Sequence, residues 1–180
     1  MKKVIILILA VLFVIPSFSQ DKPLLVPEKN VLKINSLSLF LGTGSVFYER
    51  KLSDETSGQL GLAYVGLKFQ DTKFTGILLT PEFRIYPKKN AIDGFYVAPY
   101  LRYQNYTLQS GVNKGSLSSI GGGVLLGREW ITKSGFTMDL FFGGHYGTSN
   151  IKVDSGTDSF KTDFITGFGI RVGFAVGFAF

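Results

Sequence analysis

The chain has 180 residues, and 18% of them are charged against about 25% in an ordinary soluble domain, while 22 Gly and 17 Phe stand beside no Cys at all. The missing Cys excludes a disulfide framework, a thiolate metal site and a lipid anchor on an N-terminal Cys. The formal charge of +6 is scattered along the chain without a block of five or more like charges, so no nucleic-acid partner is expected.

Met1-Lys2-Lys3 opens the chain as a positive region, and Val4 to Ile15 follow as an unbroken apolar run ending at Pro16. Ser17-Phe18-Ser19 then places small residues at the −3 and −1 positions of a cleavage site. This layout predicts a secretory signal peptide over residues 1–19, removed to leave Gln20 at the new N-terminus. The apolar run is short for a helical span, which needs about 20 residues. No later segment resembles a membrane helix, so a mature chain in a membrane must sit there as a closed barrel, whose backbone groups all pair. Residues 20–30 hold Pro23, Pro27 and several charges and read as a short periplasmic leader. Residues 31–180 form the predicted domain.

From there the hydrophobic pattern has period two, the period of a strand. Three weaker segments come first, at Val31–Leu41, Ser45–Leu52 and Gln59–Phe69. The phase of the first is ambiguous; the one adopted sets Leu37, Leu39 and Leu41 opposite Ser36 and Ser38. Between Thr75 and Tyr86, Ile77, Leu79, Phe83 and Ile85 oppose Thr80, Glu82, Arg84 and Tyr86. Between Phe95 and Tyr106, Phe95, Val97, Leu101 and Tyr103 oppose Tyr96, Tyr100, Arg102 and Gln104. Ile120, Val124, Leu126 and Trp130 oppose Gly121, Gly123, Gly127 and Glu129 in the segment Ser118–Trp130. Phe136, Met138, Leu140, Phe142 and Tyr146 oppose Thr137, Asp139 and His145 in the next. The last segment, from Phe164 to Phe180, sets bulky apolar residues on one face against Gly, Ala and the single Arg171 on the other.

Eight such segments, most near the 9–11 residues or so that a tilted strand needs to cross a bilayer, predict an all-β fold. The expected architecture is an eight-stranded antiparallel up-and-down transmembrane β-barrel. Ser53–Ser57, Pro87–Gly94 and Thr132–Gly135 become periplasmic turns. Gly42–Gly44, Gln70–Lys73, Ser110–Gly115 and Thr148–Thr157 become outer loops, the last the longest. Pro81 and Pro99 each remove a ladder donor. Their near-symmetry about the Pro87–Gly94 turn predicts that they lie close together on adjacent strands, at a bulge.

Alternation alone leaves the outer face undecided, because a soluble lipocalin-like barrel alternates too. Here the second face carries Gly, Ala and isolated charges. That is a poor water-exposed surface and a suitable lining for a narrow lumen. The Phe-, Leu- and Val-rich face is then expected to meet lipid, with Tyr48, Tyr86, Tyr103, Trp130 and Tyr146 as interfacial girdles. Glu49, Glu82, Arg84, Arg102, Glu129, Asp139, His145 and Arg171 fall on the lumen face. Ions shielded from water must pair, so these residues predict an ion-pair network that plugs the barrel; the alternative is a narrow polar path or small-ligand site.

Phe174, Val176, Phe178 and C-terminal Phe180 alternate up to the last residue. On this feature, and over about Val31 to Phe180, the chain resembles the small eight-stranded outer-membrane barrels of the OmpA/OmpX type. The resemblance implies the outer membrane of a Gram-negative cell, contact with lipid and lipopolysaccharide, and reading of the terminal aromatic strand by the barrel-assembly machinery. Family members that bind partners often use long outer loops, and the first outer loop here is short; a surface ligand held by the outer loops is the partner implied.

His145 is the only histidine, followed by Tyr146, Gly147, Thr148, Ser149 and Asn150. This neighbourhood faintly resembles that of outer-membrane lipid A deacylases. The likeness implies His145 as base, Ser149 as nucleophile and Asp154, Asp158 or Asp163 as the acid. The spacing departs from that family's pattern, since three residues separate His145 from Ser149. One His and no Cys do not make a zinc site. Asp154 and Asp158 lack an EF-hand pattern, and Gly121-Gly122-Gly123 lacks the Gly-Lys-Ser/Thr ending of a phosphate loop. No metal or cofactor is expected. The function expected is that of a non-enzymatic outer-membrane barrel with a structural or surface-interaction role. The alternatives are a lipid A-modifying hydrolase using His145 and a soluble periplasmic lipocalin-like carrier. A wide pore is not expected, since aqueous channels take about sixteen strands.

Overall fold

Period-two alternation carries the chain back and forth eight times. The computed structural model describes residues 28–40, 42–69, 72–110, 113–155 and 167–180. The predicted signal peptide, most of the predicted leader and the stretch 164–166 of the last predicted segment lie outside the described residues. The elements are β1 (Asn30–Asn35), α1 (Ser36–Phe40), β2 (Thr43–Lys51), β3 (Thr56–Phe69), β4 (Thr72–Ile85), β5 (Gly94–Ser110), β6 (Asn113–Ile131), β7 (Phe136–Ser155) and β8 (Gly167–Ala179). Each strand pairs antiparallel with the next, and β1 pairs with β8 to close a barrel. Asn30 N–H donates to the Phe180 carbonyl at 3.0 Å and Phe180 N–H to the Asn30 carbonyl at 2.8 Å, which ties the seam. That end, with the turns at 52–55, 86–93 and 132–135, is the base; the opposite end is the mouth. Among the described residues no helix is long and apolar enough to cross a membrane, which says nothing of strands.

The first segment departs from its expected form. The strand ends at Asn35, and Ser36–Phe40 form one helical turn over the mouth. Asn35 Oδ1 accepts from Ser38 N–H at 3.2 Å, the bond of a helix cap. Five residues are too few to separate a period of 3.6 from one of two, so Leu37 and Leu39 mimicked a strand face. The true phase is the reverse of the one adopted: Val31, Lys33 and Asn35 point inward, and Leu32 and Ile34 outward. The first connection consequently starts at Ser36, and Thr43 and Gly44 of the expected loop Gly42–Gly44 belong to β2. β7 runs to Ser155, so most of the expected loop Thr148–Thr157 is strand. β5 runs to Ser110 and β6 starts at Asn113, so Ser110 and Asn113–Gly115 of the expected loop Ser110–Gly115 are strand.

Pro81 and Pro99 lie where their symmetry predicts, without a bulge. The β4–β5 register is constant through Leu79↔Tyr103, Glu82↔Tyr100 and Ile85↔Val97, which sets Pro81 against Leu101 and Pro99 against Phe83. The ladder is continuous through Leu60↔Pro81 and Pro99↔Val124 on the far sides. Both missing donors therefore fall in one seam.

The barrel is polar and aromatic within and apolar without. Phe47, Tyr86, Tyr96, Tyr100, Leu125 and Phe141 pack together inside. Tyr86 is fully buried, so it belongs to the lumen and not to a girdle, as its own phase requires. The small face has a steric cause. Phe47 lies across from Gly61, Tyr96 from Gly127, Tyr106 from Gly76, Phe141 from Gly173 and His145 from Gly169. A Cβ on any of these glycines would meet the opposite ring at 2.8 Å or less. Each inward ring thus occupies the space that its cross-strand partner leaves empty.

Candidate functional site

The lumen holds a single ion-pair network, centred in its lower half and built from four carboxylates and three cations. β4 places Arg84 at its centre. Arg84 Nη1 lies 2.9 Å from Glu49 Oε2, 3.2 Å from Glu129 Oε2 and 2.9 Å from Asp139 Oδ2. Its Nη2 lies 3.2 Å from Glu82 Oε2. Its guanidinium also stacks 4.2 Å from the Tyr96 ring centroid. Lys33 approaches the same acids from β1: its Nζ donates to Glu49, to Glu129 at 2.8 Å and to Asp139 at 3.0 Å. Lys33, Glu49, Arg84, Glu129 and Asp139 are all 0% exposed, so none can be left without counter-charge.

Neutral donors complete the carboxylates. Tyr86 hydroxyl donates to Glu49 at 2.8 Å and sits 3.0 Å from Glu129. Tyr96 hydroxyl donates to Asp139 at 2.8 Å, Ser57 hydroxyl to Glu49, and Gln59 Nε2 to Glu82 at 2.9 Å. Glu49, Glu129 and Asp139 are close enough together to hold a metal ion. The positions such an ion would take are filled by Lys33 Nζ and Arg84 Nη1.

Of the eight lumen residues read from the sequence, the structure joins Glu49, Glu82, Arg84, Glu129, Asp139 and Arg171. Arg171 Nη1 lies 2.7 Å from Glu82 Oε1, but neither atom meets hydrogen-bond geometry, so this is an ion pair by proximity. Arg102 and His145 face the lumen above the network and make no ion pair in it. Lys33, Tyr86 and Tyr96 are network members that the lumen list lacks. Lys33 was legible in the short stretch Asn30–Asn35, where it alternates with Leu32 and Ile34; the Leu/Ser run after it masked that phase.

Toward the mouth, Arg102 and Arg171 flank the Tyr100 ring at 5.9 and 4.8 Å. His145 lies between Gly123 of β6 and Gly169 of β8. His145 and Ser149 share the inward face of β7 four positions apart, about 13 Å at roughly 3.3 Å per residue. That separation exceeds the reach of a serine–histidine hydrogen bond. Asp158 and Asp163, two of the acids considered, lie outside the described residues.

Outside the barrel, Arg128 near the base lies 4.6 Å over Phe95 and 5.1 Å over Trp130. Tyr48, Tyr103 and Tyr146 also point outward.

A family model described as "Protein of unknown function (DUF3575)" matches residues 4–152, and the chain belongs to that family. No curated protein and no solved structure matches the chain.

Proposed function

We propose that this member of the DUF3575 family is a non-enzymatic integral barrel of a Gram-negative outer membrane, with a structural or surface-interaction role. The inverted polarity of the barrel carries this reading. Its ions are inside, while Leu62, Ile77, Leu101, Ile120, Phe142 and Ile170 are each more than half exposed on the outside. Soluble proteins rarely expose contiguous apolar patches beyond a few hundred Å². Lipid removes that surface from water.

The height of the apolar band fits as well. It runs from Phe95 to Tyr103 on β5 and from Phe136 to Tyr146 on β7, close to the 9–11 residues or so of a spanning strand. Above it the outward residues turn polar, with Asn105, Thr107 and Gln109 on β5 and Thr148 and Asn150 on β7. Tyr103 and Tyr146 mark one edge of the band; Phe95, Trp130 and Arg128 mark the other. Aromatic residues flanking a band in this way are the pattern of interfacial girdles.

Export by the signal at residues 1–19 would set the base in the periplasm and the mouth outside. Lipid and lipopolysaccharide are then the neighbours of the barrel wall, and any surface ligand meets the mouth. The outward row Phe174, Val176, Phe178 and Phe180 on and after β8 is the segment we assign to the barrel-assembly machinery. A lipocalin-like carrier needs an apolar cavity, and the buried charges of this lumen argue against it.

The test is electrophoretic mobility in SDS of the protein from the outer-membrane fraction, with and without boiling. A cold sample that migrates differently from the boiled one is expected. Recovery in the soluble periplasm without a heat-dependent shift would defeat the reading.

A further inference from the structure

In the mouth half of the lumen two arginines share a single acid among the described residues. Below, Glu49, Glu129 and Asp139 face Lys33 and Arg84. Above, Arg171 and Arg102 have only Glu82 near them. Glu82 is already committed: Arg84 and Gln59 hold one oxygen and Arg171 abuts the other. Arg102 has no carboxylate within ion-pair distance among the described residues, and its Nε is buried without a hydrogen-bond partner. The charges of both arginines reach His145, whose Nδ1 also lacks a partner.

Glycine faces each of these groups across the sheet. Arg102 faces Gly121 across β5–β6, Gly121 faces Gly147, Arg171 faces Gly143, and His145 has Gly123 and Gly169 at its sides. Arg102, His145 and Gly169 keep partial exposure although they point inward. Two guanidiniums held about one aromatic ring, with an imidazole near them, leave an acceptor wanting. An unpaired buried cation is costly, and a guanidinium matches an oxyanion in a two-pronged geometry.

We infer that Arg102, Arg171 and His145 form a binding site for a compact oxyanion of about two negative charges. Phosphate has this charge and shape, whether free or carried on a lipid headgroup. The site needs only the closed barrel and does not depend on where the barrel resides.

His145 supplies its own probe, because a chain with one histidine gives one imidazole signal. The test is an NMR titration of the folded chain in detergent micelles, labelled at the imidazole nitrogens. Inorganic phosphate is added at fixed pH and constant ionic strength, with chloride as the exchanged anion, and sulfate is run in parallel. A saturable shift of the His145 signal is expected with either oxyanion. Arg102→Gln should weaken it about tenfold or more, the loss of a charge-assisted hydrogen bond, and Arg102→Lys should restore part of it. Lys133→Gln, at the exposed base turn, should leave it unchanged. Each variant is first checked for the heat-dependent SDS shift of the parent, so that loss of folding is not read as loss of binding. No saturable shift, or one that Arg102→Gln leaves intact, overturns the inference. The source is read by repeating the titration in vesicles with and without lipopolysaccharide. A His145 signal already displaced before phosphate is added assigns the site to a headgroup. One displaced only by added phosphate assigns it to the free ion.

Discussion

Arg84 is the side chain on which the lower lumen most depends. It meets four carboxylates, Glu49, Glu82, Glu129 and Asp139, and all five groups are fully or almost fully buried. Removing one partner of a buried pair leaves the others without counter-charge, which costs more than the pair itself contributes. Arg84→Leu should therefore destabilise the barrel by about 3–5 kcal/mol, read as a lower urea midpoint of the chain refolded in detergent. A loss under about 1 kcal/mol would mean that Lys33 and water compensate the acids unaided. The residues of this network were largely legible beforehand for a steric reason. A charge that alternates with Leu or Phe on one side and shares its face with Gly can only point into a narrow tube. What the sequence could not supply was which of the inward charges touch. Arg102 has the same phase as Arg84 and the same neighbours in pattern, and only the stagger of the strands separates the paired arginine from the unpaired one.

At the scale of elements, the strands were legible wherever alternation ran longer than about a helical turn of ambiguity, and α1 shows the limit. The base turn between β4 and β5 shows another. Sequence marks Pro87–Gly94 only as a turn, yet Ile92 is fully buried there in the left-handed region at φ 69°, packed with Val31 and Ala179. A β-branched residue is strained in that region, and burial against the seam of β1 and β8 offsets the strain. Asp93 follows it. Burial raises its carboxyl above the ordinary range, against the opposing pull of Ile131 N–H and Arg128. An acid whose folded value is raised binds its proton more tightly in the folded state. Its contribution is present at low pH and is lost as pH rises through the raised value. Asp93→Asn should thus raise the melting temperature relative to the parent at pH 7. The gain should vanish below about pH 4, where the parent Asp93 is protonated in both states. A gain that persists unchanged in acid would locate its cause in packing rather than ionisation.

For the molecule as a whole, the question is whether a closed barrel of this size is a passage. Eight strands enclose a bore just wide enough for side chains to fill. Here the filling is specific: Phe47 and Phe141 meet edge to face at 6.1 Å, Tyr86 and Tyr96 pack at 5.5 Å, and Arg84 and Lys33 bridge the acids of four strands between them. Charges separate along the axis, with acids in excess toward the base and arginines toward the mouth. From the mouth toward the base, the arginines precede a layer of fully buried, ion-paired groups. Opening that layer means breaking several buried ion pairs together, since each shares an atom of Arg84 or Lys33. In a planar bilayer the intact chain should therefore show no stepwise ion current. Shortening the central pair in an Arg84→Ala, Tyr96→Ala double variant removes the guanidinium and the ring stacked on it, and should admit small current steps. Steps from the intact chain at rest would mean that the network rearranges in lipid, and the lumen would then be a gate rather than a seal.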